Sequence, residues 1–308
     1  MFDLAALRAA TARGPVARIV IAGFKGSSPR ELGAAMLVWA DGQSGSIGGG
    51  ALEWQAMQRA RAMLAKGGGR HFETTALGPN IGQCCGGAVS LLTEVYSADS
   101  LPQGPLVARA LAGAPMPLGV KRLLARARNS GSLPATQVLQ GWLIEPISTP
   151  QRQIWIWGAG HVGRALAEVL SPLPQLALTW VDVAAERFPD APPPSRILPV
   201  PAPECAVTLA PQTAEHLIVT YSHALDLELC HRLLHHGFGF CGLIGSASKA
   251  ARFRSRLAAL GHSPQAVSRI LCPIGDPALG KAPQAIAIGV AAQMLRSNFL
   301  SQRCQCSI

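Results

Sequence analysis

The chain has 308 residues, 49% of them hydrophobic and 14% charged, so it is long enough for two globular domains with buried cores. Its net charge of +10 favours anionic partners, but aromatic residues are only 5% and no basic block or nucleic-acid motif occurs, which argues against nucleic acid. No apolar run approaches the roughly 20 residues of a membrane helix, and no signal peptide is recognised. We therefore expect a cytoplasmic protein, with no membrane partner, whose eight cysteines stay reduced.

The first half of the chain predicts an α/β domain at residues 1–150. Apolar runs and breakers predict, in chain order, a helix at 2–12, strands at 16–22 and 34–39, a hairpin turn at 41–42, a helix at 51–65, and strands at 70–77 and 88–96. Residues 97–117 are rich in Pro, Gly and Ala and predict a helix with loops. The segments 118–127 and 138–147 predict a hairpin around 129–132.

The second half, residues 151–308, predicts a Rossmann-like domain after a boundary at 150–153. Strands are predicted from 154 and at 176–182, 216–222 and 238–244, with helices at 164–170, 226–235, 248–260 and 283–300. Residues 187–211 are rich in proline and read as irregular. Alternation of strand and helix is typical of a doubly wound parallel sheet.

A glycine-rich turn lies between the first strand and helix of this second domain. Gly158, Gly160 and Gly163 have the spacing G-x-G-x-x-G, and the helix pattern begins near His161. Such a turn lets a phosphate approach the backbone at a helix N-terminus. Asp182 lies about 20 residues further on at a strand end, where these folds bind a ribose hydroxyl. The pattern predicts a phosphate-containing ligand without identifying it.

Cys84 and Cys85 lie in the loop Gly82-Gln-Cys-Cys-Gly-Gly87 between two predicted strands. Glycines make such a loop approachable, and neighbouring N–H groups or cations favour the thiolate form of a cysteine. A thiolate can bind a soft metal, carry sulfur or attack carbon. We favour Cys85, which the glycine pair follows directly; two small structural residues remain the alternative.

Three further segments are candidate anion sites at helix N-termini or strand ends. His223 follows a strand and could act as base, ligand or phosphate donor, or simply cap the next helix. Ser246 and Lys249 lie where a strand meets a helix, although solvated charge is the alternative. The third segment is Gly48, Gly49 and Gly50, which precede Glu53. It could bind an anion or cofactor, or it could be a simple helix start at which Glu53 interacts favourably with the helix dipole.

No His-x-x-x-His or four-ligand zinc pattern and no complete catalytic set is recognised, so the sequence predicts a protein that is not an enzyme. Cys304 and Cys306 are interpreted as tail residues.

Six ordered segments together resemble the XdhC/CoxI family of xanthine dehydrogenase accessory proteins. They are Gly26-Ser-Ser-Pro-Arg30, Gly45-Ser-Ile-Gly-Gly-Gly50, Gly82-Gln-Cys-Cys-Gly-Gly87, Gly158-Ala-Gly-His-Val-Gly163, Gly242-Leu-Ile-Gly-Ser246 and Cys272-Pro-Ile-Gly275. The resemblance covers nearly the whole chain. It implies a smaller N-terminal domain followed by a Rossmann domain.

The resemblance also implies a function. The protein would bind the molybdenum cofactor (Mo-molybdopterin), hold it while a cysteine desulfurase replaces an oxo ligand by sulfur, and insert it into xanthine dehydrogenase. Partners would be the molybdenum subunit of that enzyme, the desulfurase and cofactor-biosynthesis proteins, and we expect a homo-oligomer. Cys85 would face the molybdenum, and the phosphate would lie at the turn ending at Gly163 or near Ser246 and Lys249.

Two readings from other classes stay open. One is an NAD(P)-dependent oxidoreductase in which Cys85 is a redox or covalent residue. The other is a scaffold that joins desulfurase and apo-enzyme without binding the cofactor.

Overall fold

The computed structural model describes residues 1–78, 87–148, 150 and 152–305, with side chains up to residue 296. The chain forms two compact units, Met1–Ser148 and Thr149–Ile308. Among the described residues, no helix is long and apolar enough to cross a membrane.

The first unit contains two antiparallel sheets. Its elements are α1 (Leu4–Thr11), β1 (Val16–Lys25), β2 (Ala35–Trp39), β3 (Gly42–Gly45), α2 (Gly50–Ala65), β4 (Arg70–Ala76), β5 (Ala88–Tyr96), β6 (Leu106–Ala110), α3 (Leu118–Ser130), β7 (Gln137–Leu139) and β8 (Trp142–Pro146). The larger sheet has the order β3-β2-β1-β5-β4 and the smaller one β6-β8-β7. Helix α2 buries Leu52, Ala56 and Ala60 with the apolar side chains of β1, β2 and β5.

Two predictions in this unit were wrong. Residues 118–127 belong to helix α3, whose arginines, leucines and alanines favour helix and which ends at Gly131 in the left-handed conformation. The hairpin instead joins β7 to β8 through Gln140 and Gly141, both with positive φ as a tight hairpin turn requires. Residues 106–110, predicted as helix and loop, form β6 because they pair with β8.

A buried ion network joins the two sheets of the first unit. Arg18 on β1 donates to both oxygens of Glu145 on β8, at 3.0 and 2.8 Å. Arg109 on β6 also bonds Glu145 and lies 3.3 Å from Glu94 on β5. Burial alone would raise the pKa of Glu145, but the charges of Arg18 and Arg109 outweigh it and hold that pKa below its ordinary value. The network thus keeps Glu145 ionised inside the unit.

The second unit is a six-stranded parallel sheet with helices on both faces. Its elements are β9 (Arg152–Trp157), α4 (His161–Leu170), β10 (Leu176–Asp182), β11 (Arg196–Pro199), β12 (Glu215–Ile218), α5 (His223–His236), β13 (Phe240–Leu243), α6 (Ala247–Ala259), α7 (Pro264–Val267), β14 (Ile270–Leu271) and α8 (Pro283–Gln305). The strand order is β11-β10-β9-β12-β13-β14. Numbered within the unit this is 3-2-1-4-5-6, the Rossmann order, so the predicted fold class is confirmed.

The central strand β9 is buried on both faces. Ile154 and Ile156 belong to the core that includes α4 and α8, whereas Trp155 and Trp157 belong to the core that includes α5 and α6. Burying a tryptophan removes 150–250 Å² from water, an upper bound of roughly 4–6 kcal/mol for each at about 25 cal/mol/Å². This packing makes β9 a rigid base for the turn that follows it.

Candidate functional site

The candidate site lies at the carboxyl ends of β9 and β12, where the strand order reverses. These strands pair in parallel, with Trp157 beside Ile218, so the turns that follow them are neighbours. A Cβ added to Gly158 would lie 2.7 Å from the carbonyl oxygen of Val219, so the two segments pass in close contact. Open α/β sheets bind ligands at such a reversal point.

The three glycines of the turn have different structural requirements. Gly158 has a φ of +115°, which side chains rarely adopt. A Cβ on Gly163 would overlap the carbonyl oxygen of Gly158, so this glycine allows α4 to approach the strand. A Cβ on Gly160 would meet no described atom within 4 Å. Space at Gly160 is what a ligand approaching the backbone needs.

Helix α4 begins at His161 with its first-turn N–H groups available. Its N-cap is Gly160, and no side chain among the described residues caps it. The helices that start nearby differ, because Ser222 caps α5 and Ser246 caps α6 by accepting from the N–H of Leu225 and Lys249 respectively. An anion at α4 would therefore displace no side-chain cap of the described residues.

Asp182 is buried, 4% exposed, and holds the glycine turn from the end of β10. Its carboxylate accepts from the N–H of Ala159 at 2.5 Å and of Val183 at 2.6 Å, and lies 3.5 Å from Nε of Arg187. These bonds explain an acidic residue here without a ribose. The sequence-based ribose contact stays a prediction.

Three side chains near the turn were missed by sequence reasoning: Arg164 and Tyr221, which are exposed, and Arg187, which is half-buried. Arg164 donates to the carbonyl oxygens of Ala159 (3.2 Å) and Arg187 (2.8 Å). The Arg187 guanidinium lies 5.4 Å from the ring centroid of Tyr221, which follows β12 and is 71% exposed. Arg164 directly follows the third glycine, a signal that could have found it. Two cations and an aromatic ring suit a ligand with a phosphate and a planar heterocycle.

The two histidines predicted at this edge are exposed first residues of helices. His161 opens α4 and His223 opens α5. Their ligand roles stay predictions.

Lys249 was predicted as an anion contact, but the structure places it in a buried ion pair. Its Nζ donates to Oδ2 of Asp226 at 2.5 Å and to the carbonyl oxygen of Ile244 at 2.9 Å. Asp226 is fully buried and also accepts from Thr220 at 2.7 Å. The pair therefore joins the first turns of α5 and α6 to the segment after β12.

The loop Gly48–Gly50 of the first unit already holds a carboxylate. Oε2 of Glu53 accepts from Ser46 Oγ at 2.6 Å and from the N–H groups of Ile47 and Gly49, each at 3.0 Å. Burial would raise the pKa of Glu53, but these hydrogen bonds outweigh it and lower the pKa from its ordinary value. The helix-entry reading accounts for this loop, and its cofactor role stays a prediction.

Motif segments of the first unit meet at one end of its larger sheet. A Cβ on Gly48 would overlap the ring of Pro29, and one on Gly87 would overlap the carbonyl oxygen of Ser27. The 26–30 segment thus contacts both the triple-glycine loop and the last glycine of the cysteine motif. Cys84 and Cys85 themselves lie outside the described residues.

Family comparisons agree with this architecture. A model of the XdhC Rossmann domain matches residues 154–294, and a model of the XdhC and CoxI family matches residues 9–75. The chain belongs to the XdhC and CoxI family. This confirms the sequence resemblance, and the family is one of accessory proteins whose role is in xanthine dehydrogenase maturation.

Two individual proteins are similar to this member of the XdhC and CoxI family. The uncharacterized protein YqeB of Escherichia coli K12 is 25% identical over 293 residues, covering 92% of this chain but 43% of YqeB. The chain therefore spans less than half the length of that relative. A Bacillus halodurans protein called a xanthine dehydrogenase has a crystal structure with a TM-score of 0.68 and 20% identity, covering 100% of this chain and 98% of its own. At that identity the likeness supports the fold alone.

Proposed function

We propose that the chain binds the molybdenum cofactor, holds it while a cysteine desulfurase partner supplies sulfur, and delivers it to xanthine dehydrogenase. Membership of the XdhC and CoxI family supports the role in xanthine dehydrogenase maturation. The observation that supports a bound phosphate-containing cargo is the uncapped start of α4 beside the open space at Gly160.

The turn after β9 fits the phosphate end of such a cargo. Backbone N–H groups at the start of α4 bind and orient the phosphate, and the helix dipole stabilises its negative charge. Arg164 and Arg187 add positive charge at the same edge, and Tyr221 offers an exposed aromatic face. The assignment rests on donor chemistry, since any phosphate would use these N–H groups.

Cys85, with Cys84 beside it, is the proposed thiolate that binds the metal end. Molybdenum in this cofactor is thiophilic, and a thiolate is the protein ligand that suits a soft metal. When bound, the cofactor supplies a molybdenum centre that exchanges an oxo ligand for sulfur. The residues of this chain bind and orient the cargo, while the desulfurase supplies the sulfur. This division agrees with an accessory protein.

Nicotinamide binding is the second reading, and the Rossmann order is what favours it. The geometry of Asp182 argues against it. A ribose hydroxyl would have to compete with the hydrogen bonds that this buried carboxylate accepts from the N–H groups of Ala159 and Val183, and with its ion pair to Arg187. Titration with NAD and NADP decides the matter, because saturable binding of either nucleotide with no pterin recovered would replace the cofactor proposal.

The test of the proposal replaces Cys85 with Ala and, separately, Gly160 with Val. Each variant is purified from molybdenum-replete cells, and the pterin released on denaturation is oxidised and measured by fluorescence. The sulfurated fraction of xanthine dehydrogenase matured with each variant is measured in parallel. We expect Gly160→Val to lose pterin and Cys85→Ala to lower the sulfurated fraction.

Cys205→Ala is the matched control, because Cys205 is a free, exposed cysteine of the second unit. Unchanged pterin and sulfuration in Cys85→Ala would remove the cysteine from the proposal. Pterin absent from the wild-type protein, with maturation still dependent on it, would favour the scaffold reading.

A further inference from the structure

Three histidines outside the candidate site converge on one face of the second unit. His231 and His235 lie on α5, and His262 follows α6. Their ring centroids are 4.7–4.9 Å apart, and Nδ1 of His231 lies 2.8 Å from Nε2 of His262. One nitrogen of each ring lies within 4.8 Å of the others. His235 is exposed and the other two are half-buried, so solvent ions reach the cluster.

The positions of all three are set by regular backbone. His231 and His235 are four residues apart, so they share one face of α5. His262 follows Gly261, whose φ is +92°, and its N–H donates to the carbonyl oxygen of Leu257 at the end of α6. The next residue, Ser263, caps α7. The backbone carrying each ring is therefore preformed.

The spacing of the rings is close to what a tetrahedral metal requires. With metal–nitrogen bonds of 2.0–2.1 Å, ligand nitrogens are about 3.3 Å apart. The two nitrogens of His231 and His262 that are now 2.8 Å apart would have to separate by about 0.5 Å. Nitrogens as far as 4.8 Å apart would have to approach by about 1.5 Å. Rotation of the imidazoles supplies such displacements.

We propose that His231, His235 and His262 bind one divalent transition-metal ion of the Zn²⁺ class. Imidazole nitrogen is the ligand that Zn²⁺, Cu²⁺ and Ni²⁺ accept and that Mg²⁺ and Ca²⁺ do not favour. Three protein ligands leave a fourth position for water or for a group brought by another molecule. The proposal is independent of cofactor binding, since it uses none of the residues at the glycine turn.

The ion would join two helices that begin at the same edge of the sheet as the candidate site. The Asp226–Lys249 pair connects the first turns of α5 and α6. A metal held by the last two turns of α5 and the residue after α6 connects their opposite ends. Both helices would then be fixed at each end, and metal binding would stabilise the second unit.

The test uses the metal-free full-length protein and zinc chloride. We expect isothermal titration to show one Zn²⁺ per chain and a zinc-dependent rise in melting temperature. Zinc binding should weaken at least about 100-fold in each of the variants His231→Ala, His235→Ala and His262→Ala. That factor is the upper end of the loss seen when a residue that only hydrogen-bonds a metal ligand is removed. His71→Ala, an exposed histidine of the first unit, should bind zinc as the wild type does.

Cobalt substitution separates this site from the cysteines. Nitrogen ligation gives d–d bands without the intense thiolate-to-cobalt charge-transfer band, whereas binding by cysteine gives that band. Because His235 is exposed, its replacement leaves the fold intact, which circular dichroism checks. No zinc bound at micromolar concentration, zinc binding unchanged in all three variants, or a dominant thiolate band would overturn the proposal.

Discussion

Replacing Lys249 with Met tests whether this residue is structural or contacts the ligand. The side chain is 7% exposed, and its ammonium group faces the fully buried Asp226. Methionine keeps the length and removes the charge, so Asp226 would retain a buried charge with, among the described residues, only the Thr220 hydroxyl as a side-chain partner. The structure therefore predicts a loss of stability even without cofactor.

The expected loss is about 3–5 kcal/mol, the usual cost of removing one partner from a buried ion pair. For a domain of 150–250 residues, 1 kcal/mol shifts the melting temperature by about 2–4 °C, so we expect a decrease of about 6–20 °C. Thermal unfolding followed by circular dichroism measures this. The double variant Asp226→Asn/Lys249→Met should recover much of the lost stability, because no buried charge remains unpaired.

Arg252→Met is the matched control, since it removes an exposed cation from the same helix. We expect this variant to change the free energy of unfolding by no more than about 0.5 kcal/mol, as is usual for a surface substitution. The reasoning would be refuted if Lys249→Met melted like the wild type and yet lost pterin. That result would make Lys249 the anion contact that the sequence predicted.

Two further predictions concern the buried histidine of β12 and the glycine turn. His216 is stacked on Trp157, and burial, with a smaller effect of a neighbouring histidine, lowers its pKa to about 3. In the unfolded chain this imidazole binds a proton below about pH 6.5, whereas in the folded chain it stays neutral. The free energy of unfolding therefore decreases as the pH is lowered, by up to about 1.4 kcal/mol per pH unit. His216→Phe should flatten this slope in chemical denaturation between pH 6.5 and 5, and equal slopes would contradict the assignment. Gly163→Ala should lower the free energy of unfolding by roughly 1–3 kcal/mol or more, the range for overpacking, because the added Cβ overlaps the backbone. Gly160→Ala should change it by no more than about 0.5 kcal/mol. Equal melting temperatures for these two would show that the turn is less tightly packed than the structure indicates.

The sequence predicted four of the six strands of the second unit because their signals are local, whereas β11, inside residues 187–211 read as irregular, and the two-residue β14 were missed. A buried strand, three glycines and a helix lie within 20 residues, and alternation of strand and helix then indicates a parallel sheet. Residues 118–127 were harder. Their leucines and valine were read as strand-like, although Val120 and Ala127, seven residues apart, are the buried pair of a helix.

Side-chain partnerships across the fold could not be predicted in the same way. Lys249 and Asp226 are 23 residues apart and meet only because α5 and α6 start at the same edge of the sheet. Two of the three clustered histidines could have been found, since His231 and His235 have the spacing His-x-x-x-His, but that spacing was not recognised as a site. His262 reaches them only through the packing of α6 against α5.

Two helices in the described part of the chain, α2 and α4, begin at glycine-rich segments, and their geometry favours one of them for a phosphate. At α2 the carboxylate of Glu53 already accepts the loop N–H groups, so a phosphate would have to displace an ionised group of the protein. At α4 no described side chain occupies that position, and a Cβ at Gly160 would meet only open space. A second anion is costly beside the first and favourable at the free helix start. We therefore expect Gly160→Val to release pterin while Glu53→Gln retains it, and the reverse pattern would move the phosphate to the first unit.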